Sequence, residues 1–147
     1  MVNGTKHRKM ALGQEEAAAI IAGHSEEVEE IAGQLKTVMS GDNQDAYLIV
    51  SIGDFYLQFL RSGSKILIVE AVANEFLPAT RRLDAAGIAK LADLGFEPPS
   101  DSPNFSMEFE PKDENDYAYL GTLALAALHD VYDCPHDESP AYELGDP

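Results

Sequence analysis

The sequence predicts an α+β domain: an antiparallel β-sheet, a three-strand meander plus one or two later strands, packed with helices in the order αβββαβα. Three observations carry this. AYLIVSI, DFYLQFLRS and KILIVEAVA are rich in β-branched and aromatic residues and are separated by tight turn signals, Gly53-Asp54 and Arg61 to Ser64. Strands joined this closely pair with their chain neighbours as a meander. A long stripe of helical spacing precedes them, and two further helical segments follow with one short alternating stretch between.

In the first helix, residues 14 to 39, the positions Ala17, Ile21, His24, Val28, Ile31, Leu35 and Val38 step by four and three along one side. Gly23 is expected to break it in two, with Ser25 capping the second piece. Alternation assigns the strand faces. Phe55, Leu57 and Phe59 oppose Tyr56, Gln58 and Leu60, while Leu67, Val69 and Ala71 oppose Ile66, Ile68 and Glu70. The uniformly apolar set faces the helices. The outer face then carries Tyr56, Leu60, Ile66 and Ile68 among Gln58 and Glu70, more apolar than a solvated sheet face usually is.

LDAAGIAKLADLGF reads as a helix with Asp84 as N-cap, Ile88, Leu91 and Ala92 buried, and Gly95 as the left-handed terminator before Pro98 and Pro99. NFSMEFE alternates as a fourth strand with Phe105, Met107 and Phe109 inward. The acidic residues of PKDEND suit the start of the last helix, YAYLGTLALAALHDVY, residues 117 to 132. Tyr117, Leu120, Gly121, Ala124, Leu128 and Val131 form its core stripe, and Leu123, Ala126 and Ala127 its flank. Two outcomes stay open: a fully internal helix, or a surplus apolar surface at Leu123 or on the outer sheet face that a second copy or a client closes. The chain divides into a flexible stretch 1–12, one domain 13–135 and an irregular acidic tail 136–147.

A chain of 147 residues buries roughly two thirds of its unfolded surface without disulfide or metal support. No apolar run approaches the ~18 to 20 residues that cross a bilayer, and Gln14, Glu15 and Glu16 interrupt any signal-peptide core, so a soluble, cytoplasmic protein is expected. A single cysteine, Cys134, agrees with a reducing compartment. The formal net charge is −16, and residues 101 to 147 alone hold twelve acidic side chains against one basic. A polyanionic partner needs Lys and Arg to displace counterions, so nucleic acid is disfavoured. The acidity reads first as solubility and second as steering of a basic partner.

No phosphate-cradling Gly-rich loop, Gly-x-Ser-x-Gly elbow or Cys-x-x-Cys pair occurs. HDVYDCPHD is the one reactive-looking cluster. His129 and Asp133 stand four apart on a helix side, and Cys134, His136 and Asp137 follow. These types ligate zinc or form a nucleophile with its base. They lack the second half of a zinc pattern, however, and capping and packing explain them better, so no metal and no cofactor is expected. The basic set Arg61, Lys65, Arg81 and Arg82 is read as ion pairs to Glu70, Glu75 and the acidic helices, or as a site for an anion or a carboxylate-bearing partner.

LADLGFEPP, SPNFSMEF and the apolar helix ending in VYDCP, with YLQF at 56 to 59 and LIVEAVANEFL at 67 to 77, resemble the YbjN-like and type III secretion chaperone-like (TY-chap) family, in the form common in actinobacteria. Glu70, Asn74 and Leu77 stand in familiar places, Phe96 replaces a frequent Trp, and the match fades after Pro135. The resemblance implies small, acidic, commonly dimeric chaperones that hold an extended polypeptide without ATP and carry no catalytic residues. The combined expectation is a non-enzymatic, cytoplasmic chaperone-like or adaptor protein. It would be a homodimer that holds a client polypeptide through Tyr56, Leu60, Ile66, Ile68 and Leu123, with no nucleic acid or membrane partner. The rival readings are a small metal-dependent enzyme or regulator centred on His129 to Asp137, and a toxin-neutralising immunity protein.

Overall fold

The computed structural model describes residues 12–145, so the expected flexible N-terminus falls, but for Leu12, outside the described residues. The chain forms α1 (Gln14–Ser40), β1 (Tyr47–Ile52), β2 (Phe55–Ser62), β3 (Ile66–Ala71), α2 (Ala85–Asp93), β4 (Phe105–Phe109), α3 (Glu114–Ala126) and β5 (Ala141–Gly145). The five strands make one antiparallel sheet in the order β4-β3-β2-β1-β5. The α+β class and the meander are as the sequence predicts. Among the described residues the tail is irregular only over 136–140, because Ala141 to Gly145 pair with Ser51 to Tyr47 of β1 and complete the sheet.

The turns explain the register. Gly53 takes φ 60° between the paired Ile52 and Phe55, a conformation that glycine reaches without steric cost, and this closes a two-residue hairpin. From there the side chains alternate as expected. Leu48, Val50, Ile52, Phe55, Leu57, Phe59, Leu67, Val69, Phe105, Met107 and Phe109 are all buried on the inner face, which the helices cover.

α1 is kinked, with His24 at φ −140° and ψ 32°, one residue after Gly23. The kink re-aims the first turns, so Ile20 is buried there and Ile21 is 48% exposed. In α2 the buried positions are Gly87 and Leu91, whereas Ile88 and Ala92 face outward, a shift of one helix row from the expected side. The caps are as read: Asp84 Oδ1 accepts from Gly87 N–H at 2.9 Å, and Gly95 ends the helix at φ 107°.

From Leu120 onward α3 and the turn that continues it are internal on all sides, every residue from Leu120 to His129 being buried, whereas its first six residues are exposed or half-buried. It runs antiparallel to α1: Lys36 pairs with Glu114 at one end, Gly121 meets the Val28 backbone midway, and His24 stacks on His129 at the other end. The flank of this helix is therefore covered and Leu123, fully buried, is not a surface residue, whereas the outer sheet face keeps its half-buried Tyr56, Leu60, Ile66 and Ile68. The sheet, α1 and the elements around α2 between them supply the apolar neighbours that the helix alone lacks.

The basic set is divided rather than clustered. Arg61 donates from Nη1 to the carbonyls of Val38 (3.1 Å) and Gly41 (2.6 Å), tying off the C-terminal end of α1. Arg81 instead lies over the Phe55 ring, 4.7 Å from its centroid, at the opposite end of β2, about 20 Å away at strand rise.

Candidate functional site

Two features stand out above the packed core. The first is the outer face of the sheet. Tyr56, Leu60, Ile66 and Ile68 lie on it as the alternation requires, each half-buried, joined by Tyr47 and Ile49 of β1. The register sets Leu60 opposite both Tyr47 and Ile68, so an apolar band crosses three strands. In the neighbouring row Gln58 lies opposite both Ile49 and Glu70, and Glu70 opposite Ser106.

Glu70 is only 9% exposed, yet among the described residues no basic side chain neutralises it. Gln58 Nε2 (2.7 Å), Ser102 Oγ (2.9 Å) and Asn104 Nδ2 (3.2 Å) donate to its carboxylate instead. These neutral donors replace the ion pair expected from the basic set and fix the loop before β4 against the sheet. A groove of about 500 Å³ opens beside this loop, between Ile68, Ser102 and Glu108.

The two sheet edges differ. On β4, Glu97 N–H donates to Ser106 O at 2.8 Å and Ser106 N–H donates to Glu97 O at 3.1 Å, so that edge is partly closed. β5 pairs with β1 on one side and, among the described residues, with no strand on the other. An edge of that kind offers a row of N–H and C=O groups to an added strand.

The second feature is a cluster of three histidines built by departures from regular backbone. Beyond α3 the helix widens into a π-helical turn, Ala127–Val131, with Tyr132 N–H donating to Ala127 O at 2.9 Å. Asp133 then takes φ 61° and reverses the chain. His129 and Asp133 therefore do not share a helix side, as the spacing had suggested. The reversal returns His136 onto His129, while the kink in α1 brings in His24. The three rings stack, with centroids 4.5 Å apart for His24–His129 and His129–His136 and 5.2 Å for His24–His136.

His24 and His129 are buried, and one nitrogen from each of the three rings lies within 4.8 Å of the others. His129 Nδ1 meets the Cys134 carbonyl at 2.9 Å, and its buried Nε2 has no hydrogen-bond partner among the described residues. Burial holds the pKa of His129 below the ordinary histidine value, the neighbouring imidazoles add to this, and the hydrogen bond to Cys134 opposes it. Cys134 is a buried thiol pushed up to about 11 by desolvation, which suits packing and not nucleophilic attack. Sequence reading found His129 and His136 but took His24 for one more member of the α1 stripe. The available signal was a titratable residue at an apolar position directly after a mid-helix glycine.

No helix among the described residues is long and apolar enough to cross a membrane. No curated protein and no solved structure matches the chain. A family model does match, over residues 26–143, most of the chain: T3SS (YopN, CesT) and YbjN peptide-binding chaperone 3, or TY-Chap3. With its meander, its central apolar helix and the start of its last strand inside the matched span, the chain belongs to the TY-Chap3 family of peptide-binding chaperones.

Proposed function

We propose that this chain is a non-enzymatic, cytoplasmic chaperone-like or adaptor protein, working as a homodimer, that holds an extended client segment against the outer face of its sheet. The observation that carries the proposal is the apolar band Tyr47, Leu60 and Ile68, which no helix among the described residues covers. It runs up to β5, the edge strand among the described residues, because Tyr47 also pairs with Gly145. A client added as a strand beside β5 gains backbone hydrogen bonds, and apolar client side chains on the same face gain the band. Membership of a peptide-binding chaperone family supports this reading.

The test replaces Leu60 with Glu and Ile68 with Lys together. The two positions face each other across β2 and β3, so the pair installs an opposite-charge contact while removing both apolar side chains. Two half-buried side chains contribute about 2–3 kcal/mol of client contact, so capture of extended apolar peptides should weaken roughly 30- to 150-fold, with circular dichroism unchanged. Unchanged capture by a folded variant would sink the proposal for this face. Light scattering of the unsubstituted protein should give twice the chain mass.

A further inference from the structure

We infer that His24, His129 and His136 form a binding site for a late first-row divalent transition ion, zinc foremost, which clamps the kinked helix α1 to the segment after α3. The inference stands apart from the client reading and uses neither the sheet face nor its edge.

Hydrogen bonding assigns the ring nitrogens. The Cys134 carbonyl can only accept, so His129 Nδ1 carries the proton and the buried, unpartnered Nε2 presents a lone pair. Glu27 Oε1, 3.5 Å from His24 Nδ1, likewise draws the proton there and leaves Nε2 as a lone pair toward the cluster. His136 Nε2 faces Asp130 Oδ1 at 3.9 Å. Each inward nitrogen thus has its opposite nitrogen turned to an oxygen acceptor, the outer-shell arrangement that orients metal-binding imidazoles.

His24 Nε2 and His136 Nδ1 are 3.0 Å apart, a separation that two lone pairs tolerate only with a proton or a cation between them. Two nitrogens on a tetrahedral zinc, at 2.0–2.1 Å each, stand about 3.3 Å apart. Closing the cluster from at most 4.8 Å requires ring rotation, and His136, with a side chain 60% exposed, is the ring with room on its solvent side to adjust. An all-imidazole set selects zinc, nickel or copper over magnesium and calcium. Beside the cluster a cavity of about 450 Å³ is lined by Glu16, Asp93, Asp130 and Asp133 against one cation, Lys90, giving a metal ion a net acidic approach and room for a fourth ligand.

The experiment uses tag-free, chelator-stripped full-length protein titrated with Zn²⁺ against a chromophoric chelator. One Zn²⁺ should bind per chain and raise the thermal midpoint, and Co²⁺ should give the visible bands of a four-coordinate site. His136→Ala, at an exposed position, should fold normally, weaken Zn²⁺ at least about 100-fold and abolish the Co²⁺ bands; Glu27→Gln, which keeps all three ligands, should weaken Zn²⁺ by about 10-fold or more. Absence of saturable binding in the unsubstituted protein, binding unaltered by His136→Ala, or displacement by excess Mg²⁺ would each overturn the inference.

Discussion

Gly33 and Gly121 lie in the interiors of α1 and α3, and replacing each with alanine should have opposite consequences. A Cβ at Gly33 would meet nothing within 4 Å. The substitution there removes backbone entropy from the unfolded chain and should stabilise by about 0.5–1 kcal/mol. A Cβ at Gly121 would stand 2.7 Å from Val28 O, 3.3 Å from Val28 Cα and 3.4 Å from Val28 C. All three are backbone atoms, so no rotamer change relieves the contact, and α1 must move by roughly half an ångström in a close-packed interior. Overpacking of this kind costs about 1–3 kcal/mol, against the ~1 kcal/mol that alanine gains in helix propensity. Gly121→Ala should therefore fall about 1–3 kcal/mol below Gly33→Ala in stability, roughly 3–9 °C in thermal midpoint for a chain of this length. Urea denaturation followed by circular dichroism, read as midpoint shifts at constant slope, measures the difference. If Gly121→Ala proves as stable as Gly33→Ala, the close approach of the two helices is wrong.

Tyr132 donates its hydroxyl to Val72 O at 2.7 Å while 4% exposed, so Tyr132→Phe strands a buried carbonyl and should cost about 1–3 kcal/mol in the same assay. Burial raises the pKa of Tyr117, Tyr132 and Tyr142 above the ordinary tyrosine value, so the unfolded chain ionises first; stability should hold below pH 10 and fall as pH rises beyond it, less steeply in Tyr132→Phe. Cys134, 2% exposed and raised to about 11, should react with iodoacetamide at pH 8 roughly 100-fold more slowly in the native protein than in denaturant. Equal rates would return the thiol to consideration as a nucleophile.

The strands were legible because each carries its own evidence: alternation fixes the faces from Phe55 to Phe59 and from Phe105 to Phe109, and Gly53 marks a turn. Helix ends were legible for the same reason, since Asp84 and Gly95 act within a few residues of themselves. The inward side of α2 was misassigned by one row, because Gly87 has no side chain to announce that it faces Leu83. β5 was missed because AYELG is short and partly polar, and becomes a strand only through β1.

By itself, then, the amino-acid order determined what neighbours along the chain can enforce: the strand and helix segments, their caps and turns, and the apolar outer face bearing Tyr56, Leu60, Ile66 and Ile68. Tertiary structure decided what depends on partners remote in sequence. It buried the flank of α3 at Leu123, added an open edge at β5, and set His24 against His129 and His136 across more than a hundred residues of chain. The physical reason is that periodicity and capping are short-range, whereas a histidine cluster or an edge strand exists only once distant backbone segments have packed.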